Sequence, residues 1–330
     1  MIDETISKPD PAPRLSYEQA ADQVGAEVHR LLTTAPGPVR GYTAHLAGSR
    51  GKMIRTHTLL SCAEDREGKL HPNAVQFASA IEILHLATLV HDDIIDNADT
   101  RRGAATLQRR FGKRNAVICG DYLFCLALSQ AGAVPNRGDY LEISLSDYAG
   151  RICMGELLQG QNSGNVNLSI PAYLRIISGK TAALFELSAY AGALLCADTP
   201  GELRRYMRLG HYLGMIFQLT DDCIDFEAPG DLAQKPVQSD YEHGVITLPL
   251  IHAFHREEAL RSRAQKEHLP REELNRAVRK AGGLSFTKSV ASRYYAKAIA
   301  LLDSLDASEA KRERLTAILD RALGGLGQKS

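Results

Sequence analysis

The chain has 330 residues, and its 39 Lys and Arg residues balance 39 Asp and Glu residues, so its net charge is zero with neutral histidines. This balance provides no bulk attraction to nucleic acid or to an anionic membrane surface, and we expect no nucleic-acid partner. A hydrophobic share of 44% and a charged share of 24% are ordinary for a globular protein. The length is compatible with one large helical domain.

The first 14 residues are acidic and proline-rich, and they lack the apolar run of a signal peptide. We therefore predict a flexible tail over 1–14, a single domain over 15–330 and a cytoplasmic location. The six cysteines include no C-x-x-C pair, which favours small buried thiols over a disulfide framework or a zinc site. The apolar runs 116–134 and 181–197 contain Asp121 and Glu186, so neither is the stretch of about 20 apolar residues that a membrane span requires.

Apolar residues recur at helical spacing along almost the whole chain. The pattern predicts helices near 16–33, 54–65, 73–97, 114–133, 138–162, 171–196, 200–226, 244–256, 271–281, 284–304 and 307–324. Gly- and Pro-containing breaks are predicted at 33–41, 133–139, 228–236 and 281–283. Because no alternating β-branched run with a hairpin turn is found, we expect no sheet. The predicted fold class is all-α, a single large domain of ten or more helices.

Two clusters of aspartates end apolar helices in this pattern. In "HDDIID", Asp92 and Asp96 are four residues apart and share a helix face, while Asp93 is turned aside. In "TDDCID", Asp221 and Asp225 repeat that spacing. Carboxylates presented in this way suit Mg²⁺, which takes a few carboxylates, several waters and a substrate phosphate. Solvated acids at helix ends are the alternative for either cluster alone, and the match between the two clusters favours metal.

Basic residues follow both clusters, as a diphosphate ligand would require. Arg101 and Arg102 lie just after the first cluster, and an arginine fork suits phosphate oxygens. Further cations are Lys52 and Arg55 in "GSRGKMIRT", Lys180 in "SGKTAALF" and Lys235. Surface solvation is the default interpretation of any one of them, and only the combination indicates an anion site. The "GKT" is no P-loop, because Leu174 stands where that motif needs its first glycine.

The ordered motifs "RGKMIR", "EILHLATLVHDDIIDNADTRRG", "FGKRNAVICGDYLF", "GELLQ", "GKTAALF", "FQLTDDCIDF" and "HGVITLPL" resemble those of the trans-isoprenyl diphosphate synthases, or polyprenyl synthetases. The resemblance extends over the chain after its tail and is strongest to medium- and long-chain members. It implies an all-α fold of the isoprenoid synthase type, with helices around a deep central cavity. It also implies a prenyltransferase of isoprenoid biosynthesis that condenses an allylic diphosphate with isopentenyl diphosphate.

The resemblance also assigns roles to residues. The implied Mg²⁺ ligands, for three ions with the diphosphate bound, are Asp92, Asp96, Asp221 and Asp225. The implied partners of the allylic diphosphate are Arg101, Lys180 and Lys235, with Thr181 and Gln218 close to the reacting carbon. The implied isopentenyl diphosphate pocket contains Lys52, Arg55, His85 and Arg102. On spacing alone, His85 would be a half-buried helix histidine.

This implied chemistry uses the metal and the basic residues to neutralise the departing diphosphate. The allylic cation is then attacked by the isopentenyl double bond, and a proton is lost to the released diphosphate. Thr181 and Gln218 are expected to stabilise the cation with their oxygen dipoles. The chain departs from the family pattern at three places: Arg50-Gly51 replaces a glycine pair, Thr56 replaces a proline, and Val245 replaces a frequent lysine.

The resemblance implies that the product grows down an apolar tunnel below the first aspartate cluster and that bulky side chains form the floor of this tunnel. Short-chain farnesyl synthases tend to carry an aromatic residue at the position of Ala87, so a methyl group there predicts a product longer than farnesyl diphosphate. The resemblance of "ATLVHDDIIDNADTRRG" to long-chain members favours a product of C20 or longer, a range that includes C30–C40. Most family members are dimers, so the resemblance implies a homodimer, which we expect to form through the apolar helix 114–133. A product of this length is expected to pass to a membrane.

Three alternatives stay open at the level of sequence. A class I terpene cyclase would replace the second aspartate cluster by an Asn/Ser/Glu motif and would lack the isopentenyl pocket. A non-catalytic subunit would lose one of the clusters, whereas this chain keeps both. A catalytic chain that needs a separate partner subunit is compatible with every residue named above.

Overall fold

The computed structural model describes residues 13–48, 51–134, 145–197, 199–227 and 239–324. Its helices are α1 Tyr17–Thr33, α2 Gly37–Ala47, α3 Ile54–Ala63, α4 Asn73–Ile95, α5 Leu107–Phe111, α6 Lys113–Gly132, α7 Leu145–Gln161, α8 Ile170–Ile177, α9 Ala183–Ala193, α10 Pro200–Glu227, α11 Ser239–Glu242, α12 Leu248–Arg256, α13 Glu258–Ala264, α14 Arg271–Ala281, α15 Gly283–Asp303 and α16 Glu309–Gly324. A π-helical turn, Ser178–Ala182, joins α8 to α9. The strands β1 Thr100–Arg101 and β2 Ala104–Ala105 form one antiparallel hairpin. The predicted all-α class is confirmed.

Three sequence predictions of local structure are wrong. The break at 33–41 overlaps α2, which begins at Gly37 because Pro38 fits the first turn of a helix. The helix over 171–196 is interrupted by the π-turn, and the sheet-free prediction fails at the 100–105 hairpin. The break at 281–283 is confirmed, since Gly282 ends α14 with a φ of 74°. Residues 228–236 and 135–139 lie outside the described residues.

The contacts divide the chain into two compact units. Unit 1 contains the described residues of Met1–Asp147, Leu184–Gly210 and Leu305–Ile318. Unit 2 contains those of Tyr148–Ala183, His211–Ser304 and Leu319–Ser330. The expectation of a single domain over 15–330 stays a prediction.

Helix α4 is the core element of unit 1. Its residues Phe77, Ile81 and Leu84 are buried, and α6 packs closely along it. Gly120 of α6 leaves room for the His91 side chain of α4, because a Cβ at this position would lie 2.3 Å from Nε2 of His91. By length and composition α4 could cross a membrane, but 61% of its most apolar window is buried inside the protein, and the core helix of a globular protein passes the same test. This packing fixes the end of α4, where the first aspartates lie.

The C-terminal segment of unit 1 anchors α3. The ammonium of Lys311 in α16 is buried and donates to the backbone oxygens of Cys62 and Glu64, at 2.9 and 2.8 Å. These carbonyls lie at the C-terminal end of α3, where helices leave acceptors unpaired. Arg55, a predicted site residue, lies in the first turn of α3, so this anchor also helps to hold Arg55 in place.

Unit 2 has its own apolar core. The core includes Tyr173, Ile176, Phe254 and Val278, on helices α8, α12 and α14.

The cysteines of both units are free thiols. Cys62, Cys119 and Cys223 are buried, Cys196 is intermediate, and Cys125 and Cys153 are exposed. Four of the six thiols are thus buried or partly buried, in agreement with the expectation for most of them, and two are exposed.

Candidate active site

The first aspartate cluster occupies the last turn of α4 and continues into its cap. Asp92 and Asp96 are half-buried, whereas Asp93 is only 6% exposed and pairs with Nε of Arg101, 2.6 Å from its Oδ1. Burial raises the pKa of Asp93, and Arg101 opposes that shift. The prediction that Asp93 is turned aside is confirmed, and the guanidinium of Arg101 is held by that carboxylate.

A tight hairpin positions the two arginines that follow. Arg101 pairs with Ala104, and the turn residues Arg102 and Gly103 have φ values of 52° and 78°. Positive φ at both central residues is the type I′ pattern, whose twist matches that of the paired strands. His45 of α2 holds the far strand, since its Nε2 lies 2.7 Å from the backbone oxygen of Ala105. The sequence predicted the arginines but not the turn that presents them.

Arg102 leads from this hairpin to the loop that precedes α3. A Cβ at Gly51 would lie 2.6 Å from Nη1 of Arg102, so the backbone of this loop passes directly beside the guanidinium. Lys52, the next residue, is exposed. The structure thus brings the loop that carries Lys52 into contact with Arg102.

Arg55 and His85 form the centre of a cluster of positive charge. Nη1 of Arg55 lies 3.1 Å from Nε2 of His85. Burial, and then the charges of Arg55, Arg102 and Arg101, hold the pKa of His85 well below its usual range. His85 is therefore neutral near pH 7, and its Nε2 accepts a hydrogen bond from the Nη1–H of Arg55. Burial also lowers the pKa of Arg55 to about 10, although Glu82 opposes the shift.

The Arg55 side chain is poised for an anion. Its guanidinium carbon lies 4.6 Å from the centre of the Phe185 ring, a cation–π contact that fixes the guanidinium plane. Its Nε is buried and has no hydrogen-bond partner among the residues that the structure describes. A buried unpaired donor is costly, so this atom indicates a polar ligand. The basic cluster defined by Arg55, His85, Arg101 and Arg102 concentrates charge that a phosphorylated ligand would neutralise.

Thr56, a departure from the family's proline, has a structural role. Its backbone N–H and its hydroxyl both donate to Oε1 of Glu82, at 3.1 and 2.7 Å. A proline has no N–H to donate there. The buried Glu82 therefore satisfies the first turn of α3 and fixes the helix that carries Arg55.

In unit 2, the π-turn carries Lys180 and Thr181. It passes very close to α7, because a Cβ on Gly155 would lie 2.3 Å from the backbone nitrogen of Lys180. Nζ of Lys180 lies 2.6 Å from Oε2 of Glu156, the residue after that glycine. Single π-turns inside helices occur frequently at functional sites. The "GELLQ" motif thus supplies both the space for the π-turn and the counter-charge for its lysine.

Thr181 and Gln218 belong to a hydrogen-bonded network in unit 2. The Thr181 hydroxyl donates to Oε1 of Gln218 at 2.7 Å, and Nε2 of Gln218 donates to Oδ1 of Asp222 at 2.8 Å. The hydroxyl of Tyr173 donates to the other carboxylate oxygen, Oδ2. Burial raises the pKa of Asp222 to about 7, although both hydrogen bonds oppose the shift.

The second aspartate cluster repeats the arrangement of the first. Asp221 is exposed and Asp225 is half-buried near the end of α10, while Asp222 between them is 1% exposed and turned inward. Within the described ranges, no three His, Cys, Asp or Glu side chains come together as a metal-binding group. Each cluster instead offers a pair of hard oxygen donors, and Mg²⁺ is usually held by one or two carboxylates with waters and phosphates.

Sequence reasoning missed several residues of this arrangement, and one predicted residue cannot be placed. Glu156, Tyr173 and Asp222 were assigned no role, although Glu156 and Asp222 lie in recognised motifs. Tyr173 gave no sequence signal, because a tyrosine on an apolar helix face is typical of a core. Lys235 lies outside the described residues.

A half-buried cluster of arginines and a histidine lies close to a pair of aspartates in this all-α chain, an arrangement suited to a phosphorylated substrate. Comparison with known families is direct: the model of the polyprenyl synthetase family matches residues 38–281. The chain belongs to the polyprenyl synthetase family and is a prenyltransferase.

Named relatives are similar over most of their length. The octaprenyl diphosphate synthase of Escherichia coli K12 is 36% identical over 271 residues, which are 79% of this chain and 82% of that one. Component 2 of the heptaprenyl diphosphate synthase of Geobacillus stearothermophilus is 31% identical over 302 residues, 89% of this chain and 93% of that one. The resemblance to long-chain members is confirmed.

Solved structures show the same fold. Heptaprenyl diphosphate synthase from Staphylococcus aureus superposes with a TM-score of 0.86 at 30% identity, over 96% of this chain and all of that one. A polyprenyl synthase from Caulobacter crescentus, complexed with calcium and isoprenyl diphosphate, gives a TM-score of 0.81 at 30% identity, over 94% of this chain and 99% of that one.

Proposed function

We propose that this chain is a trans-polyprenyl diphosphate synthase that condenses an allylic diphosphate with isopentenyl diphosphate and makes a product of C20 or longer. The observation that carries the proposal is the basic cluster of unit 1. Three arginines and a neutral histidine converge there, with the unpaired Nε of Arg55 among them. Such a cluster is suited to a diphosphate.

The two substrates would use different residues. Lys52, Arg55, His85 and Arg102 would bind isopentenyl diphosphate, and Arg101, Lys180 and Lys235 would bind the allylic diphosphate. Asp93 and Glu156 would hold Arg101 and Lys180 in position, since each is paired with its cation at 2.6 Å. Positioning of this kind lowers the barrier by fixing the reacting groups in advance.

The aspartate pairs fit Mg²⁺ by the chemistry of their donors. Asp92 with Asp96, and Asp221 with Asp225, would hold the ions, three of them with the diphosphate bound. When bound, Mg²⁺ supplies positive charge that stabilises the leaving diphosphate. The Caulobacter crescentus polyprenyl synthase is complexed with a divalent cation, calcium, together with isoprenyl diphosphate, and this supports the assignment.

The reaction breaks the allylic C–O bond and one C–H bond of the isopentenyl unit, forms one C–C bond and shifts the double bond. The allylic C–O bond breaks and its electron pair leaves with the diphosphate, which the basic side chains neutralise. The isopentenyl double bond then attacks the allylic cation, a C–C bond forms, and a proton passes to the released diphosphate. Thr181 and Gln218 would direct oxygen lone pairs at the cation.

The product is expected to be long, and the chain to act as a homodimer in the cytoplasm. The small side chain of Ala87 and the relatives that are named octaprenyl and heptaprenyl synthases support a product within C30–C40. Such a product would pass to a membrane. Exposed Val117 and Ile118 on α6 are compatible with the expected dimer contact.

A second candidate is a catalytic chain that works only with a partner subunit. The name of the Geobacillus stearothermophilus relative, component 2 of a heptaprenyl diphosphate synthase, favours it. Both aspartate clusters are retained here, so such a partner would complete the enzyme rather than replace its catalytic chain.

The test is substrate consumption by the purified chain with Mg²⁺. Farnesyl diphosphate should be consumed only when isopentenyl diphosphate is present, and EDTA should abolish consumption. Consumption of the allylic substrate alone would indicate a cyclase. No consumption with farnesyl, geranyl or dimethylallyl diphosphate would refute the proposal for the isolated chain and favour the partner-dependent form.

A further inference from the structure

We propose that Tyr173 and Asp222 are positioning residues that set the hydrogen-bond direction of Gln218 and Thr181, so that the Thr181 oxygen presents lone pairs to the reacting carbon. This inference rests on the proposed function. It deepens that proposal by assigning roles to two buried residues that sequence reasoning left without one.

The network begins at Asp222, which has a donor on each carboxylate oxygen. The Tyr173 hydroxyl donates to Oδ2, and Nε2 of Gln218 donates to Oδ1 at 2.8 Å. Burial and the neighbouring Asp222 raise the pKa of Tyr173 well above its usual value, so the phenol keeps its proton. Because Oδ1 and Oδ2 of Asp222 both accept in this arrangement, the group that Gln218 turns toward Asp222 is its NH₂ group.

The orientation of Gln218 fixes that of Thr181. Because its NH₂ group donates to Asp222, Gln218 presents the acceptor Oε1 to the Thr181 hydroxyl, 2.7 Å away. The single hydroxyl proton of Thr181 is used in this bond. The remaining lone pairs of Oγ1 are turned away from Gln218, which is the orientation that stabilises positive charge.

The position and burial of the network favour a single donor-to-acceptor direction for its hydrogen bonds. Its members come from three elements, α8, the π-turn and α10, and Gln218 and Asp222 are one helical turn apart on α10. Tyr173 and Asp222 are 3% and 1% exposed, so water cannot easily replace either bond. In a buried site, losing one donor leaves the other groups free to reorient.

A double-mutant cycle tests the inference in the full-length enzyme with Mg²⁺ and both substrates. Tyr173→Phe should lower kcat on the order of 10-fold, the effect of losing one buried hydrogen bond, without changing KM for the allylic substrate. Thr181→Val removes the oxygen that the network orients. In the Thr181→Val background, Tyr173→Phe should therefore have no further effect on kcat.

The matched control is Tyr295→Phe. Tyr295 also donates to an aspartate, Asp320, at 2.6 Å, but it lies on the surface of unit 2. The Tyr295→Phe substitution should leave kcat unchanged in the wild-type background and in the Thr181→Val background. If Tyr173→Phe does not fold, as judged by circular dichroism, Asp222→Asn replaces it in the cycle under the same criterion.

Two results would overturn the inference. One is a fall in kcat that is additive with Thr181→Val, which indicates a structural role unrelated to Thr181. The other is an unchanged kcat in the Tyr173→Phe enzyme. Inactivity of the wild type with every allylic primer would instead refute the proposed function, so the two failures are distinguishable.

Discussion

Gly155 and Lys180 are in backbone contact, and this contact sets the position of the π-turn that carries Lys180 and Thr181. A Cβ on Gly155 would lie 2.3 Å from the Lys180 nitrogen and 2.7 Å from the carbonyl carbon of Gly179. Neither backbone atom belongs to a flexible side chain, so any larger residue must move α7 or the π-turn.

Gly155→Ala should therefore lower kcat on the order of 100-fold, because a displacement of about 1 Å at a catalytic group has that cost. Gly160→Ala on the same helix is the control, since a Cβ there meets nothing within 4 Å. Steady-state kinetics with circular dichroism on both variants checks this. Equal activity of the two variants would show that the π-turn tolerates displacement.

The proposed metal ligands are tested by two conservative substitutions, one inside the first aspartate cluster and one just after it. Asp92→Asn should lose most of the turnover, at least about 100-fold, while its thermal midpoint stays near that of the wild type, because the half-buried carboxylate would act on the ion rather than on packing. Asp99→Asn should keep full activity, because Asp99 is exposed and makes only a 3.8 Å surface pair with Arg109. Near-wild-type rates for Asp92→Asn would contradict the metal assignment.

His85 predicts how stability depends on pH. Its pKa in the folded state is well below the ordinary value of 6.5, so below about pH 6.5 the unfolded chain binds a proton that the folded chain does not. This contribution to the free energy of unfolding is complete above that pH and is lost as the pH falls. Urea titrations near pH 7.5 and near pH 5.5 measure how far the free energy of unfolding falls between the two conditions. This fall should be about 1 kcal/mol smaller in His85→Asn than in the wild type.

The control for that comparison is His29→Asn, at an exposed position of α1. It should show the same pH-dependent fall as the wild type. An identical fall in all three proteins would mean that His85 takes up its proton in the folded state as readily as in the unfolded chain.

Ala87 tests the prediction of product length. Its side chain is fully buried on α4. A phenylalanine there would extend toward the space below Asp92 that the resemblance assigns to the growing chain, and the mean product length should fall. Mass spectrometry of the products checks this, with stability measured in parallel because overpacking costs about 1–3 kcal/mol. A stable variant with unchanged products would place the tunnel floor elsewhere.

Much of the fold was predictable because apolar periodicity and Gly/Pro punctuation are local signals. They gave the bounds of α1, α4 and α14 to within two residues. The helix start at Gly37 and the type I′ turn at Arg102 were missed because Pro-containing segments and short hairpins carry conflicting local preferences. The π-turn could not be predicted, since it depends on the approach of Gly155 from another helix.

The candidate site divides in the same way. Helical spacing alone placed Asp92 and Asp96 on one helix face and turned Asp93 aside. The Asp93–Arg101 pair confirms that Asp93 is turned aside. The spacing could not reveal Glu82, which lies 26 residues from Thr56 and satisfies its N–H. It also could not identify Tyr173, whose partner Asp222 lies 49 residues away.

The most direct test is to incubate the purified chain with Mg²⁺, isopentenyl diphosphate and farnesyl diphosphate and to read product masses. The proposed function predicts products extended by successive C5 units and ending within C30–C40. A single C20 product would keep the chemistry but place a floor closer to Asp92. No extended product from any allylic primer would contradict the claim that this chain alone is a polyprenyl diphosphate synthase.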